Sequence, residues 1–176
     1  MAIEKMKLVG AWQIVAKPCQ DLRGAFEVFW ESADLAAGGI AFAPISAHHS
    51  YNEKADTLRG LHYQKAPHGQ AKLVSCVGGR LWDVIVDLRP KSPTYLGWEA
   101  TELSAASGRA IYIPAGCAHG FVTLTEHATV AYLIEGEYQP AAAEIVRWND
   151  PAVGINWPVQ EPILSERDRV APDFRP

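Results

Sequence analysis

The sequence predicts an all-β domain of the antiparallel sandwich or small-barrel type. Short runs rich in β-branched and aromatic residues recur along the chain, and Gly, Pro, Asn or Asp separates most of them. Their spacing, roughly 8 to 12 residues, is typical of such folds. One segment alone has a helical composition, and no repeat or compositional break divides the chain, so we expect a single domain over residues 1–176.

The predicted elements follow in chain order. The strand-like runs are "AWQIVA", "AFEVFW", "IAFAPIS", "TLRGLHYQ", "AKLVSCV", "RLWDVIVDL", "GWEATEL", "AIYIP", "GFVTL", "TVAYLIE" and "EIVRW". Between the second and third runs, "ESADLAAGG" predicts a short helix that Gly38 and Gly39 end. Gly78 and Gly79 predict a two-residue hairpin turn, because glycine accepts the positive φ angles that such turns need. The segment from Pro158 onward is richer in Pro and charge, and we expect it to cross the barrel surface.

The composition indicates a small-molecule partner. The net charge is −4, and Lys and Arg are spread singly, so the chain has neither a basic stripe for nucleic acid nor a polybasic membrane patch. The first ten residues lack the apolar block of a secretory signal, and no stretch approaches the ~20 apolar residues of a membrane span. We therefore expect a cytoplasmic protein with no nucleic-acid or membrane partner. Cys19, Cys76 and Cys117 are expected to stay reduced.

The segment "GRAIYIPAGCAHGF" raises the question of a metal site. Its spacing of Gly108, Pro114, Gly116 and His119 resembles the second motif of the cupin barrels. Metal-binding cupins supply His-x-His and a Glu from their first motif, whereas here His62 is followed by Tyr, Gln and "KAPHGQAK". Two imidazoles fall short of the three or more ligands that a first-row metal normally takes, and a nearby lysine would oppose binding. We expect no metal and no cofactor.

Seven further segments carry a family resemblance. They are "DLRGAF", "LRGLHYQ", "QAKLVSCVGG", "DVIVDLRPKSPTYLGW", "IPAGCAHGF", "WNDPAVGINWP" and "LSERD". In this order they resemble the dTDP-4-dehydrorhamnose 3,5-epimerase family and cover nearly the whole chain. The resemblance implies an all-β cupin-type jelly roll with a few short helices and no metal. It also implies a homodimer that exchanges N-terminal strands, and a nucleotide-diphosphate-linked 4-keto-6-deoxy sugar as substrate.

Inverting a carbon beside a ketone requires a base, a group that stabilises the enolate oxygen, and an acid on the opposite face. An imidazole with a pKa of about 6.5 can accept a proton at neutral pH, so His62 suits the base. The resemblance assigns Asp168 as the carboxylate partner of His62 and Lys72 as the cation at the keto oxygen. It assigns Tyr132 as the acid that returns a proton to the other face. These four residues are the predicted catalytic set.

The resemblance also implies residues that bind the substrate. Arg23 and Arg59 match family contacts to the diphosphate, a role that suits the planar guanidinium. Phe26 and Tyr138 are expected to form walls for the nucleotide and the sugar. His119 is expected to add a second hydrogen-bond donor or to shape the pocket.

The chain departs from the family pattern before "LRGLH". The family has a Q-x-N-x-S run there, and a count back from Leu58 without gaps places these positions on Ala47, His49 and Tyr51. A family glutamate likewise becomes Val28. His49 and Tyr51 are therefore expected to contact a nucleotide that need not be dTDP. Which sugar is bound, and whether C3, C5 or both are inverted, stays open.

Two alternatives stand beside the epimerase. One is a non-catalytic cupin that binds sugar nucleotides, and the other is a metal-dependent cupin isomerase or dioxygenase. Taken alone, a strand histidine such as His62 is more often a core or surface residue than a metal ligand or a proton carrier. His68 and His127 are expected to be solvated.

Overall fold

The computed structural model describes residues 1–175. In order, the strands are β1 Ala2–Lys5, β2 Trp12–Val15, β3 Cys19–Asp21, β4 Gly24–Phe26, β5 Ser46–Asn52, β6 Leu58–Gln64, β7 Ala71–Gly78, β8 Arg80–Asp87, β9 Trp98–Ser104, β10 Arg109–Ile113, β11 Cys117–Thr123, β12 Ala128–Glu135 and β13 Ala143–Ile145. The helices are α1, Ser32–Ala37, and α2, Glu166–Arg169, with a 3-10 turn at Pro140–Ala142. Within residues 1–175, no helix has the length and apolar character needed to cross a membrane.

Two antiparallel sheets face each other. One has the strand order β1-β2-β10-β7-β12-β5, and the other has the order β13-β6-β11-β8-β9. From β5 to β13, consecutive strands alternate between the sheets except for the paired strands β8 and β9, as in a jelly roll. The predicted all-β architecture is confirmed.

The core forms where the two sheets meet. Its side chains come from alternate positions of the facing strands, because successive residues of a strand point to opposite faces. Val74 and Ile111 belong to the first sheet, and Ile85 and Phe121 to the second, and all four are buried. A second apolar cluster covers the outer face of the β6-β11-β8 sheet, where Trp157 packs edge-on against Trp82. Phe174 packs against the same cluster, so the segment from Pro158 onward crosses the barrel surface, as predicted.

Several local predictions are confirmed. The helix predicted in "ESADLAAGG" is α1, which ends before Gly38 and Gly39. Cys76 and Cys117 are buried and free of disulfides. The two-residue hairpin predicted at Gly78 and Gly79 is wrong, because β7 and β8 belong to different sheets and do not pair. Gly79 alone, at φ +70°, separates the two strands where the chain crosses between the sheets.

The strand predicted at "IAFAPIS" is wrong. Residues 40–45 form no strand, and β5 begins only at Ser46. Pro44 lacks the backbone N–H that a central ladder needs. Ile40 and Phe42 are buried instead in a cluster around Leu35 of α1. These two buried residues are apolar and two positions apart, and that spacing resembles the alternation of a strand.

The run "AFEVFW" forms a strand only over Gly24–Phe26, which pairs with β3 as a two-stranded hairpin. We call residues 19–26 the β3–β4 hairpin. All of its residues are exposed, with Leu22 at 107% and Phe26 at 74% of their reference areas. Large apolar side chains this exposed are typical of surfaces that another chain covers.

Candidate active site

Both sheets contribute side chains to a cavity of about 300 Å³. The first sheet supplies residues of β5, β7 and β12, and the second supplies residues of β6 and β11. The lining residues are His48, Ser50, Arg59, His62, Lys72, His119, Phe121, Tyr132 and Ile134. Five of the predicted site residues therefore meet in one cavity, and they reach it from four strands.

His62 is bonded to a carboxylate from the far end of the chain. Its Nε2 lies 2.7 Å from Asp168 Oδ1, and Asp168 is buried on α2. Ser165 caps this helix by accepting a hydrogen bond from the Asp168 N–H at 3.1 Å. Burial would raise the pKa of Asp168, but the His62 contact and the Ser165 and Gly60 hydrogen bonds bring this pKa below its usual value. An ionised Asp168 fixes the orientation of the imidazole.

A β-bulge brings Arg59 and His62 into the same cavity. Residues three apart on a regular strand point to opposite faces. Between the pairs His119↔His62 and Phe121↔Arg59, however, β6 has one residue more than β11. Gly60 lies at this bulge with φ +123°, and a Cβ on it would lie 2.6 Å from Gly120 Cα. Only glycine fits there.

Lys72 enters from β7, where it pairs with Ile113 and Ile134. Burial lowers the pKa of Lys72 to about 8, and the negative charge of Asp83 partly opposes this shift. At neutral pH the side chain therefore still carries its positive charge. No carboxylate among residues 1–175 lies within ion-pair distance of the ammonium, which leaves that charge available to an anionic ligand group.

His119 forms a second imidazole–carboxylate pair. Its Nε2 lies 2.7 Å from Oδ2 of Asp83 on β8, and both side chains are buried. His119 is directly opposite His62 in the β6–β11 ladder, so the two imidazoles point to the same face. Asp83 was not identified from the sequence. The signal was present, because Asp83 lies between the core residues Leu81 and Ile85 in an alternating strand, where a carboxylate is unusual.

Tyr132 lies on β12, in the sheet opposite His62. Its hydroxyl is 3.4 Å from Ser50 Oγ. Burial, with a contribution from the Asp83 charge, raises the pKa of Tyr132 to about 12, although Ser50 and Arg59 act in the other direction. The phenol is therefore protonated at neutral pH and can donate a proton.

Arg59 is held at the cavity by a neighbouring amide. Its Nε donates to Asn52 Oδ1 at 2.7 Å, and Asn52 Nδ2 donates to the Ala128 carbonyl at 3.1 Å. Asn52 was also missed from the sequence, where it reads as a turn residue.

Five predicted substrate-binding residues lie outside this cavity, and three of them are on the β3–β4 hairpin or in an adjoining groove. Arg23 and Phe26 are on the β3–β4 hairpin, and the Arg23 guanidinium lies 2.5 Å from Asp21 on the same hairpin. Tyr138 lines an adjoining groove of about 200 Å³ that shares His62 and Lys72 with the cavity. Tyr138 therefore lies beside the site, whereas the hairpin residues do not reach the cavity.

The placement of His49 and Tyr51 needs correction. Strand alternation in β5 turns His48 and Ser50 towards the cavity, whereas His49 and Tyr51 lie on the opposite face. There, Tyr51 Oη is 2.5 Å from Nδ1 of His127, which is exposed as predicted. The ungapped count assumed a fixed turn length before β6, and a shift of one residue reverses every side chain of a strand.

The imidazoles of the cavity are not arranged as a metal-ligand set. In the described part of the chain, no three His, Cys, Asp or Glu side chains converge as a metal ion would require. His62 and His119 each bond a carboxylate instead. The arrangement offers a base held by a carboxylate, a cation, and a neutral phenol on the other side.

Comparison with known proteins gives consistent results. The sequence model described as dTDP-4-dehydrorhamnose 3,5-epimerase matches residues 5–176. A dTDP-4-dehydrorhamnose 3-epimerase of Streptomyces niveus is 40% identical over 174 residues, which are 97% of this chain and 83% of the relative.

Two crystal structures of epimerases superpose closely on the chain. The dTDP-4-dehydrorhamnose 3,5-epimerase of Bacillus anthracis, solved with TDP and PPi bound, has a TM-score of 0.95 at 37% identity and covers 98% of this chain and 99% of its own. The dTDP-6-deoxy-D-glucose-3,5-epimerase of Legionella pneumophila, solved with dTDP-4-keto-L-rhamnose, has a TM-score of 0.91 at 34% identity. It covers 97% of this chain and 90% of its own.

Proposed function

The chain belongs to the dTDP-4-dehydrorhamnose 3,5-epimerase family, and from this premise we propose how its cavity inverts a sugar carbon. The protein is an isomerase with a cupin-type jelly-roll fold. It acts on a nucleotide-linked 4-keto-6-deoxyhexose and inverts C3, C5 or both. The observation that carries the mechanism is the meeting of His62, Lys72 and Tyr132 in one cavity, with His62 and Tyr132 on opposite sheets.

The reaction begins with proton abstraction beside the ketone. His62 takes the proton through Nδ1, because its Nε2 is already bonded to Asp168. The adjacent carboxylate stabilises the imidazolium that forms. General base catalysis of this kind typically contributes about 10²- to 10⁴-fold to the rate.

The enolate that results carries its charge on the former keto oxygen. Lys72 stabilises this oxygen with its ammonium, and His119, fixed by Asp83, lies nearby. A preorganised donor in a water-poor site is worth about 3 to 4 kcal/mol in the transition state. Removing Lys72 should therefore slow the chemical step more than it weakens binding.

Inversion requires that the proton returns from the other side. Tyr132 suits this step because its phenol is protonated at neutral pH and faces the cavity from the sheet opposite His62. His62 removes a proton from one face of the carbon and Tyr132 returns a proton to the opposite face, and this inverts the configuration of the carbon.

Isotope exchange tests this function. Incubation with a dTDP-linked 4-keto-6-deoxyhexose in deuterated water should place deuterium at C3, C5 or both. His62→Ala and Tyr132→Phe should each lower product formation by about 10²-fold or more, because each removes one of the two proton carriers.

The same experiment decides the alternative function. A non-catalytic binder would incorporate no deuterium, and both substitutions would leave its ligand affinity nearly unchanged. NMR locates the exchanged carbons, which also decides between single and double inversion.

The remaining substrate contacts complete the proposal. Arg59 binds the diphosphate, and Arg23 with Phe26 reaches the cavity of a partner subunit in a homodimer that exchanges N-terminal segments. Two features support the exchange: the β3–β4 hairpin is exposed, and its guanidinium lies away from its own cavity. Tyr138 forms a wall of the adjoining groove.

We further propose dTDP as the nucleotide carrier, because the Bacillus anthracis relative is solved with TDP and the Legionella relative with a dTDP sugar. A binding screen of dTDP, UDP, GDP and CDP tests this choice, and tighter binding of another nucleotide would overturn it. A role in deoxysugar biosynthesis follows from the substrate. The cytoplasmic location stays a prediction, which cell fractionation can test.

A further inference from the structure

The proposed mechanism leaves Tyr132 without its proton after each inversion. The carbon has then lost one proton to His62 and gained another from Tyr132. Before the next cycle the phenolate must be protonated again, and His62 must release the proton that it took. Tyr132 is surrounded by protein, so the route by which its proton returns is a property of its neighbours.

The inner face of β5 offers such a route. Ser46, His48 and Ser50 alternate along this strand and point to the cavity side, where His48 is directly opposite Tyr132 in the β5–β12 ladder. Ser50 Oγ is 3.4 Å from the Tyr132 hydroxyl, and His48 Nε2 is 3.0 Å from Ser46 Oγ. His48 and Ser50 are about 7 Å apart along the strand, a gap that one water molecule spans.

His48 differs from the other imidazoles of the cavity. His62 and His119 are each bonded to a carboxylate, whereas His48 contacts only a hydroxyl among residues 1–175. His119 is 4% exposed and is not in contact with bulk solvent, whereas His48 is exposed at the cavity edge.

The other charged groups of the cavity already have roles. Lys72 on β7 must keep its charge for the next enolate, and Arg59 on β6 does not release protons at neutral pH. Asp83 on β8 and Asp168 on α2 hold His119 and His62. His48 is therefore the cavity side chain best suited to exchange protons with water.

We propose that His48, acting through Ser50, returns the proton to Tyr132 from solvent. This inference rests on the proposed function of the same cavity. The His48 imidazolium gives a proton to one bridging water, and that water gives a proton to the Ser50 hydroxyl. The hydroxyl passes its own proton to the phenolate oxygen. Neutral His48 then takes a proton from water, while His62 releases the proton that came from carbon. The protons balance over the cycle, and no electrons are transferred.

His48 is a positioning residue rather than a catalytic one, because it acts on Tyr132 through Ser50. His48→Asn is compared with His49→Asn, since the neighbouring histidine has the same chemistry on the opposite face of β5. With a dTDP-linked 4-keto-6-deoxyhexose, His48→Asn should lower steady-state turnover by at least about tenfold. With enzyme in excess over substrate, its first turnover should stay within about twofold of wild type, because Tyr132 starts protonated.

Added imidazole provides the second measurement. It should restore steady-state turnover of His48→Asn in proportion to its concentration and leave wild type and His49→Asn unchanged. Ser50→Ala should also slow steady-state turnover more than the first turnover. A structural effect of the substitution would slow both phases alike and would not respond to imidazole.

Three results would overturn the inference: full steady-state turnover in His48→Asn, an equal loss in both phases, or no response to imidazole. Failure of the proposed function gives a different result, because wild type itself would then incorporate no deuterium from deuterated water. The two proposals are therefore tested separately by the same set of proteins.

Discussion

Asp83 acts on His119, Lys72 and Tyr132, three side chains of the cavity. It holds the His119 imidazole at 2.7 Å, and its charge opposes the loss of the Lys72 proton. Its second oxygen, Oδ1, is buried and has no hydrogen-bond partner among residues 1–175. An unpaired carboxylate oxygen in a buried site is costly, and such a cost is commonly retained where charge serves function.

The charge of Asp83 gives a prediction about pH dependence. Deuterium exchange by the wild-type protein should fall as the pH rises through about 8, because Lys72 then loses the proton whose charge stabilises the enolate. In Asp83→Asn the fall should come about one pH unit lower, because the neutral amide no longer favours the charged ammonium. Initial exchange rates measured across the neutral and alkaline range give both midpoints.

The matched control is Glu102→Gln, which removes an exposed carboxylate on the neighbouring strand β9. Its midpoint should equal that of wild type. An unchanged midpoint in Asp83→Asn would show that Asp83 does not set the charge of Lys72.

At the scale of elements, strands β5 and β6 show what the sequence can and cannot reveal. The chemistry of His62, Lys72 and Tyr132 was readable because each residue type suits its task and the surrounding segments resemble a family. The sequence did not reveal which side chains of β5 face the cavity, because this depends on the length of the turn between β5 and β6. The bulge at Gly60 was hidden as well, since a bulge breaks the alternation on which strand predictions rest.

The bulge itself can be tested by adding a methyl group. Gly60→Ala should lower the free energy of unfolding by about 2 to 4 kcal/mol, because the new Cβ would approach Gly120 Cα at 2.6 Å and the His119 carbonyl oxygen at 2.8 Å. It should also lower activity by displacing the flanking Arg59 and His62. Thermal unfolding midpoints at a fixed protein concentration measure the loss of stability. Rates of deuterium incorporation into the substrate measure the loss of activity.

Gly24→Ala separates the clash from backbone strain. Gly24 has φ +125°, close to the +123° of Gly60, but its Cβ would meet no atom within 4 Å. The control should therefore lose only about 1 to 2 kcal/mol. Equal losses in the two variants would mean that the close approach to Gly120 does not constrain the bulge.

At the scale of the whole molecule, the proposed dimer divides each substrate site between two chains. In this arrangement the acid–base groups come from one subunit, and Arg23 comes from the other. A closed two-fold dimer would contain two such composite sites.

Mixing two defective variants tests this division. His62→Ala and Arg23→Ala should each be weakly active alone. After their subunits exchange, about a quarter of wild-type activity should return, because half of the dimers are mixed and each mixed dimer has one complete site. The measurement is the rate of deuterium incorporation into the substrate by the mixed sample, compared with the sum of the rates of the separate samples.

A second mixture serves as the control. His62→Ala mixed with Tyr132→Phe should recover nothing, because both groups come from the same subunit and every site keeps a defect. If the first mixture also stayed at the level of its components, Arg23 would not serve a neighbouring subunit.

The contact between His62 and Asp168 joins residues that are 106 positions apart in the chain. Asp168 lies on a helix of only four residues, which belongs to neither sheet and contacts the barrel through β6. Short peripheral elements open at a lower free energy than a packed core. Gentle heating should therefore inactivate the enzyme reversibly while circular dichroism still reports intact strands.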